Sequence, residues 1–358
     1  MEMIPMRKAA LFAMPAAEAR RLLAEAPYVH VAMTTPEGRP VLRALNAAVC
    51  FDRLYFHGSP AGEKALCLGR DAVVSAEEHV AQVSSAWIDP LRACPATTFY
   101  RAVQVSGVLA VEHDPVRKAA ALQALMEKHQ PEGGYTSLDA AHPLYRKALE
   151  GILVMSVSLD GLRGKAKLGQ NRTPAERARI VAGLWARGLP GDALACARVL
   201  DACPDTPRDG VFRAPEGLTL VPQCDSADDA ATAAHLLHEQ YWNIDRFNPA
   251  QLVAAHRASS AWVGARDAQG HLVASARAVS DGVKHAWVYD VVVAPSLRRS
   301  GVGAAVTRLL LDHPAVRGAA QVHLGTRDAQ GFYARLGFVE AAALPPRPYA
   351  STHMIRAR

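Results

Sequence analysis

Apolar and polar positions alternate with a period near two over much of residues 28–160, the pattern of half-buried strands. The runs Tyr28–Thr34, Val41–Cys50, Arg53–His57 and Ala72–Ala76 read as strands. Turns between the first three fall at Pro36-Glu-Gly-Arg39 and Phe51-Asp52. A short helix over 62–69 interrupts them, and an amphipathic helix over 16–25, with Ala17, Leu22 and Leu23 inward, precedes them. Two further strands, Thr98–Val111 and Ile152–Leu159, enclose a helix from Asp114-Pro115 to about Lys128. Several strands at close spacing with few helices between them predict a small β-barrel and not a doubly wound sheet.

The period then lengthens. Thr173-Pro-Ala-Glu176 is a capping box with Pro in the first helical position, predicting a helix to about Arg187 with Ile180 and Leu184 inward and Gly188 as its stop. A helix over 192–200 follows, then Cys203-Pro-Asp-Thr-Pro-Arg-Asp-Gly210, rich in residues that break regular structure. We therefore expect one domain over 1–202, a linker over 203–216 and a second domain over 217–358. The second reads as a mixed α/β layer: strand Leu218–Val221, helix 226–240, strands Ala261–Ala265, Leu272–Val279 and Ala286–Val293, helix 301–311, strand 321–325 and helix 328–336.

Composition narrows the class. At 358 residues the chain is long enough for two ordinary domains, and half of it is apolar with 21% charged, which excludes a disordered protein. The net charge of +6 is spread thinly and forms no basic block, and no helix pair presents a basic recognition face, so nucleic acid is not an expected partner. Six cysteines without a CxxC pair or metal-ligand spacing fit reduced thiols, hence a cytoplasmic setting with no metal. Pro15, Glu18 and Arg20-Arg21 break the short apolar start, which argues against a signal peptide, and no apolar run is long enough to span a bilayer.

The most informative stretch is Asp290-Val-Val-Val-Ala-Pro-Ser-Leu-Arg-Arg-Ser-Gly-Val-Gly303, a strand end, a turn and a helix start. Its glycines let backbone N–H groups approach an anion, and the helix N-terminus adds partial positive charge. A dinucleotide fingerprint would need a third Gly where Val306 stands, and the Gly-Lys-Ser/Thr of a phosphate loop is absent. Some twenty residues on comes Leu324-Gly-Thr-Arg-Asp-Ala-Gln-Gly-Phe-Tyr-Ala-Arg-Leu-Gly-Phe338. Together the two stretches resemble the GNAT superfamily of N-acetyltransferases over about residues 217–358. The resemblance implies that Arg298, Arg299, Ser300, Gly301, Val302 and Gly303 hold the pyrophosphate of acetyl-coenzyme A, the co-substrate. Backbone groups of Val291, Val292 and Val293 suit the pantetheine arm and the oxyanion. Tyr333, on a helix capped by Asp328, is the candidate acid for the leaving thiolate, with Phe332 toward the core. Asp290, Glu239 and His285 are candidate bases, beside deprotonation through water. Tyr241-Trp242 is either an aromatic wall for the acceptor or part of the core. The expected acceptor is a small amine: a polyamine, amino sugar, amino acid or drug.

The first domain carries a second resemblance, through Tyr28-Val-His-Val-Ala-Met-Thr, Gly38-Arg-Pro, Arg43-Ala-Leu-Asn46, Leu54-Tyr-Phe-His-Gly58, Gly62-Glu-Lys64 and Phe99-Tyr-Arg-Ala-Val-Gln-Val-Ser-Gly107. It is similar to the pyridoxamine-phosphate-oxidase-like split barrels, closest to the branch with the nitroimidazole-resistance flavoproteins. That implies FMN bound at a homodimer interface. Lys64 would partner its phosphate, His57, Gly58 and Ser59 line the approach, and Arg43 and Asn46 lie beside the isoalloxazine or phosphate. Two positions depart from the pattern. Glu63 stands where the oxidases carry Arg, removing a cation, and Ala102 stands where relatives have a Ser or Gln that reaches the flavin. Lys165 and Lys167 share one strand face, which suits either a phosphate or solvent. The expected whole is an N-acetyltransferase fused to an FMN-binding barrel. The alternatives are an FMN-dependent reductase or oxidase with the GNAT half accessory, and a flavin-binding sensor.

Overall fold

The computed structural model describes residues 8–244, 246–344 and Met354, so the outermost parts of the expected domains, 1–7 and the residues beyond 344 other than Met354, lie outside the described residues. Two compact units emerge: residues up to Ile180 together with Arg198–Thr206, and Val181–Ala197 together with residues from Pro207 onward.

The first unit opens with helices α1 (Ala9–Phe12) and α2 (Ala16–Glu25). It continues through strands β1 (Val29–Thr34), β2 (Pro40–Leu45), β3 (Ala48–Cys50) and β4 (Arg53–Gly58), helix α3 (Glu63–Leu66) and strands β5 (Asp71–Val83), β6 (Thr97–Val108) and β7 (Ala110–Val111). Helices α4 (Pro115–His129) and α5 (Pro143–Gly151) and strands β8 (Leu153–Ser158) and β9 (Arg163–Lys167) follow. One sheet has the order β2-β1-β5-β6-β9 and the other β3-β4-β8-β7, the two halves of a split barrel.

Two expected strands are each broken where the chain passes from one sheet to the other. Val41–Cys50 divides at Asn46-Ala47 into β2 and β3, and Thr98–Val111 divides at Leu109 into β6 and β7. Ala47 and Leu109 are fully buried, so the residue at each corner is itself apolar. In the other direction, β5 extends to Val83, well beyond Ala76, because the polar Glu78 faces the buried Arg101 at 2.8 Å, as does Glu18 of α2 at 3.0 Å. The inward face of α2 is Ala19 and Leu23, one turn apart, while Ala17 points to solvent. The turn at Phe51-Asp52 holds both residues at positive φ, 47° and 54°. Helix α3 is a single turn, much shorter than the expected 62–69. Helix α5 was not expected; its N-cap is His142, whose Nδ1 accepts from Leu144 N–H at 3.2 Å, outside the usual Ser/Thr/Asp/Asn set. Together α4 and α5 pack Leu122, Leu125 and Leu149 against Ala48, Tyr55 and Val154.

Helices α6 (Pro174–Arg187) and α7 (Asp192–Ala202) carry the chain between the units. Thr173 and Glu176 form the expected reciprocal cap, with the Thr173 hydroxyl accepting from Glu176 N–H and the Glu176 carboxylate accepting from Thr173 N–H. The second unit contains β10 (Thr219–Val221), α8 (Ala227–His238), α9 (Pro249–Arg257), β11 (Ala261–Arg266), β12 (Leu272–Ser280), β13 (His285–Val293), α10 (Val302–Asp312), β14 (Gln321–His323) and α11 (Gln330–Ala334). The strands lie in the order β10-β11-β12-β13-β14, antiparallel except for β13 with β14. Helix α9 was also missed, although Asn248 and Gln251 form a complete capping box ahead of it. Helix α10 buries the expected stripe of Val302, Ala305, Val306, Leu309 and Leu310 on the sheet. Helix α11 is shorter than 328–336 because Asp328 does not cap it: its carboxylate pairs with Arg327 at 3.0 Å, and the Thr326 hydroxyl accepts from Ala329 N–H instead.

Candidate active site

In the second unit the sheet opens where the glycine-bearing loop arrives. Pairing between β13 and β14 ends at Trp287 opposite His323, yet β13 runs on to Val293 with β12 as its partner. Asp290 and Val291 together face the single residue Ala276, a one-residue bulge, and Asp290 adopts φ 54°. A side chain holds this left-handed residue. Arg277 Nε donates to one Asp290 carboxylate oxygen at 2.6 Å, and Trp242 Nε1 donates to the other at 3.1 Å. The Asp290 side chain is 7% exposed and that of Arg277 14%, so the pair is largely withdrawn from water.

Beyond the bulge, Ala294 N–H donates to Val273 across the sheet. Strand alternation then turns the N–H of Val292 to β12 and those of Val291 and Val293 to the open edge. The loop follows, with Arg299 at φ 66° and Gly301 at φ 87°, and α10 begins with no side-chain cap. Val302 N–H makes only a long contact to the Ser300 hydroxyl at 3.5 Å, so the next N–H groups and the positive end of the dipole are left for a ligand. Gly303 lies against Val293, at 3.4 Å from an added Cβ, and against the Phe332 ring. Phe332 is half-buried there and stacks edge-on with Tyr333, 4.9 Å between centroids. Burial first, and the neighbouring Tyr241 second, push the Tyr333 phenol above its ordinary value.

The remaining candidates spread out. Trp242 packs toward the α8–α9 core, whereas Tyr241 is 40% exposed beneath the Arg327 guanidinium, 3.6 Å over its ring. Glu239 is an exposed residue at the end of α8. His285 shares a 3.0 Å hydrogen bond with His323, and it lies five residue steps along the strand from Asp290, about 16 Å. That distance is too long for direct proton transfer at the bulge.

In the first unit, His57, Gly58, Ser59 and Pro60 line an open cleft of about 600 Å³ with Lys147, Ala148, Gly151 and Ile152 of α5 and its end. Lys64 lies over Gly58, where an added Cβ would fall 2.6 Å from its Cε. Desolvation, and secondarily the Lys64 charge, hold the His57 imidazole below its usual value, so it is neutral near pH 7. Ser59 Oγ accepts from Ala61 N–H. Arg43 is not free: its guanidinium pairs with Glu63. Asn46 meets His129 at 3.4 Å.

Residues 226–338 match the acetyltransferase (GNAT) family model, and residues 15–166 match the pyridoxamine 5'-phosphate oxidase family model. The chain joins one domain of each family. The GNAT domain is 44% identical over 68 residues to GCN5-related N-acetyltransferase 1, chloroplastic, of Arabidopsis thaliana, covering 19% of this chain and 34% of that protein. It is 41% identical over 75 residues to serotonin N-acetyltransferase 2, chloroplastic, of Oryza sativa subsp. japonica, covering 21% of this chain and 38% of that one. This chain therefore spans little more than a third of the length of these curated relatives. A solved structure of a proposed 5-nitroimidazole antibiotic resistance protein from Bacteroides thetaiotaomicron covers 43% of this chain and 85% of its own, at 19% identity and a TM-score of 0.35.

Within the GNAT domain, sequence reasoning missed Arg277. Its one signal was a lone cation in an otherwise small and apolar strand, Leu272–Val279. Within the split-barrel domain it missed Lys147, because the helix that carries it was not expected. Among the described residues no helix is long and apolar enough to cross a membrane, and no cluster of three or more metal-ligating side chains occurs.

Proposed function

We propose that the GNAT domain transfers the acetyl group of acetyl-coenzyme A to a small-molecule amine. The observation that carries this reading is the open β13 edge at the Asp290 bulge, adjoining the uncapped start of α10. The pyrophosphate is held by the Arg298–Gly303 turn, and the thioester carbonyl by the outward N–H groups of Val291 and Val293. The amine nitrogen attacks the thioester carbon, the C–S bond breaks, and the departing thiolate takes the Tyr333 proton. Asp290, with both oxygens engaged, holds the bulge in place, and the amine proton leaves through water. The test is release of free thiol from acetyl-coenzyme A in the presence of a panel of small amines. Failure to bind acetyl-coenzyme A at millimolar concentration would end the proposal.

Gly301 has nothing within 4 Å of an added Cβ, so its requirement lies in its φ of 87° and not in space. Gly301→Val is expected to raise the acetyl-coenzyme A Kd at least about tenfold, since a β-branched residue forces the turn to rearrange. Isothermal titration would read it, and an unchanged Kd would remove the turn from the cofactor site.

For the split-barrel domain we propose FMN in the cleft beside His57, with Lys64 and Lys147 as the cations available to its phosphate. The volume and the two ammonium groups fit such a ligand. FMN supplies two-electron redox chemistry when bound; the chain's own residues bind and orient it. Whether the domain is a reductase or a sensor is read from oxidation of a nicotinamide by the loaded protein, and the homodimer from its mass in solution. Glu63→Gln releases Arg43 and is expected to tighten FMN about threefold, the scale of one exposed ion pair. Quenching of FMN fluorescence measures this, and an unaltered Kd would mean that Arg43 does not reach the ligand.

A further inference from the structure

Tyr241 and Trp242 are neighbours in the turn after α8, yet they reach two different parts of the acetyl-transfer site. Trp242 Nε1 donates to Asp290, the residue at the β13 bulge. The Tyr241 ring stands edge-on to that of Trp242, 4.8 Å between centroids, and makes its polar contacts elsewhere. It lies 3.6 Å beneath the Arg327 guanidinium, and its hydroxyl accepts from Arg327 N–H at 3.3 Å. Arg327 belongs to the turn between β14 and α11. Among the described residues, β13 and β14 part beyond Trp287 and His323, so the two adjacent side chains touch opposite banks of the gap.

Both ends of this link are held. In the α8 turn, Asn243 is buried, its side chain donates to Leu237 C=O at 3.4 Å, and its N–H donates to Gln240 C=O at 2.8 Å. Trp242 packs on Leu237 and Leu252. At the far end Asp328 pairs with the Arg327 guanidinium at 3.0 Å, and the Gln330 amide donates to Arg327 C=O at 3.0 Å. The Thr326 hydroxyl accepts from Ala329 N–H, and Ala329 C=O in turn accepts from Tyr333 N–H at 3.1 Å. A shift of the Arg327 turn is therefore carried to Tyr333, and Tyr241 is near enough to the Tyr333 phenol to help raise its pKa.

Acyl transfer needs its oxyanion donors and its acid in one fixed relation, because they serve the oxygen and the sulfur of a single thioester. The donors lie on β13 and the acid on α11, two elements that no strand pairing joins beyond Trp287 and His323 among the described residues. We propose that Tyr241 is a positioning residue: together with Trp242 it ties the two banks of the gap and sets where the Tyr333 hydroxyl stands relative to the thioester. This rests on the acetyl-transfer reading given above.

The experiment compares Tyr241→Ala and Tyr241→Phe in the full-length protein, each alone and combined with Tyr333→Phe. Tyr241→Ala removes ring and hydroxyl, and turnover is expected to fall about tenfold, the scale of a displaced reacting group. Tyr241→Phe keeps the ring beneath Arg327 and should hold turnover within about threefold of wild type. The acetyl-coenzyme A Kd should stay within about twofold in both, because only the transition state uses the acid. In the Tyr333→Phe background Tyr241→Ala should cost no further turnover, since the group it positions is gone. Arg327→Met, at an exposed residue, gives a loss of about threefold by the same route if Tyr241→Ala does not fold. Equal losses in the Phe and Ala variants would overturn the proposal by making the hydroxyl itself a reacting group. A raised KM for the amine, or an undiminished loss in the Tyr333→Phe background, would overturn it by placing Tyr241 against the acceptor. Hydrogen exchange tests the link without turnover: in Tyr241→Ala the amides of 330–334 should exchange at least about tenfold faster, with those of 290–293 unchanged. Unaltered exchange across α11 would end the proposal whether or not an amine is acetylated. Exchange as expected, in a protein that releases no thiol, would uphold the link and end the transfer reading alone.

Discussion

Replacing Tyr333 with Phe is expected to lower acetyl transfer about 10²-fold, the scale of losing one general acid, while acetyl-coenzyme A affinity stays within about twofold. The change removes one oxygen and keeps the ring, so the contacts with Phe332 and with Phe338 at 5.8 Å survive. The sign of the pH effect follows from the phenol's environment. Burial and Tyr241 raise its pKa above the ordinary value near 10, so the hydroxyl keeps its proton throughout the neutral range. Wild-type turnover should therefore stay level toward alkaline pH and fall only where the phenol ionises. The Phe variant should lack that limb. Steady-state kinetics across pH, beside equilibrium binding of acetyl-coenzyme A, separate the two effects. Equal turnover in both proteins would take Tyr333 out of the chemistry.

The second large effect is expected at Asp290→Ala. This change leaves the Arg277 guanidinium without its carboxylate and the Trp242 indole N–H without its acceptor, in a place largely withdrawn from water. Breaking a buried ion pair from one side costs about 3–5 kcal/mol, and an Ala held at positive φ adds about 1 kcal/mol. A fall in Tm of several degrees should accompany a loss of acetyl-coenzyme A affinity, because the N–H groups of Val291 and Val293 are aimed by the same bulge. Asp290→Asn separates positioning from base chemistry, since Asn tolerates a left-handed backbone and still accepts a hydrogen bond. If Asp290 positions, the Asn variant retains most of its turnover. If turnover collapses while Tm and affinity hold, Asp290 is the base after all.

The helix stripe from Val302 to Leu310 and the cap at Thr173 were readable because their determinants lie within a few residues of one another. The sheet corners at Ala47 and Leu109 were not, since the residue at each corner is itself apolar. Helix α9 was within reach through Asn248 and Gln251, whereas α5, with its histidine cap, offered no familiar signal. The bulge is the hardest case. Asp290-Val-Val-Val293 reads as uniform strand, and what bends it is Arg277, thirteen residues earlier, and Trp242, forty-eight residues earlier. Likewise the sequence departs from the oxidases at Glu63, but only the fold brings that carboxylate to Arg43 and so withdraws a second cation.

The gap between β13 and β14 has a further consequence for the molecule's behaviour in concentrated solution. A strand whose amide groups face no neighbour among the described residues is a template on which another chain's strand can be laid. Between Val288 and Val293 that template is rich in valine, a residue that pairs well in such additions. Whatever fills the gap in turnover would also shield it, so the protein emptied of substrate is the form most exposed to self-association during storage.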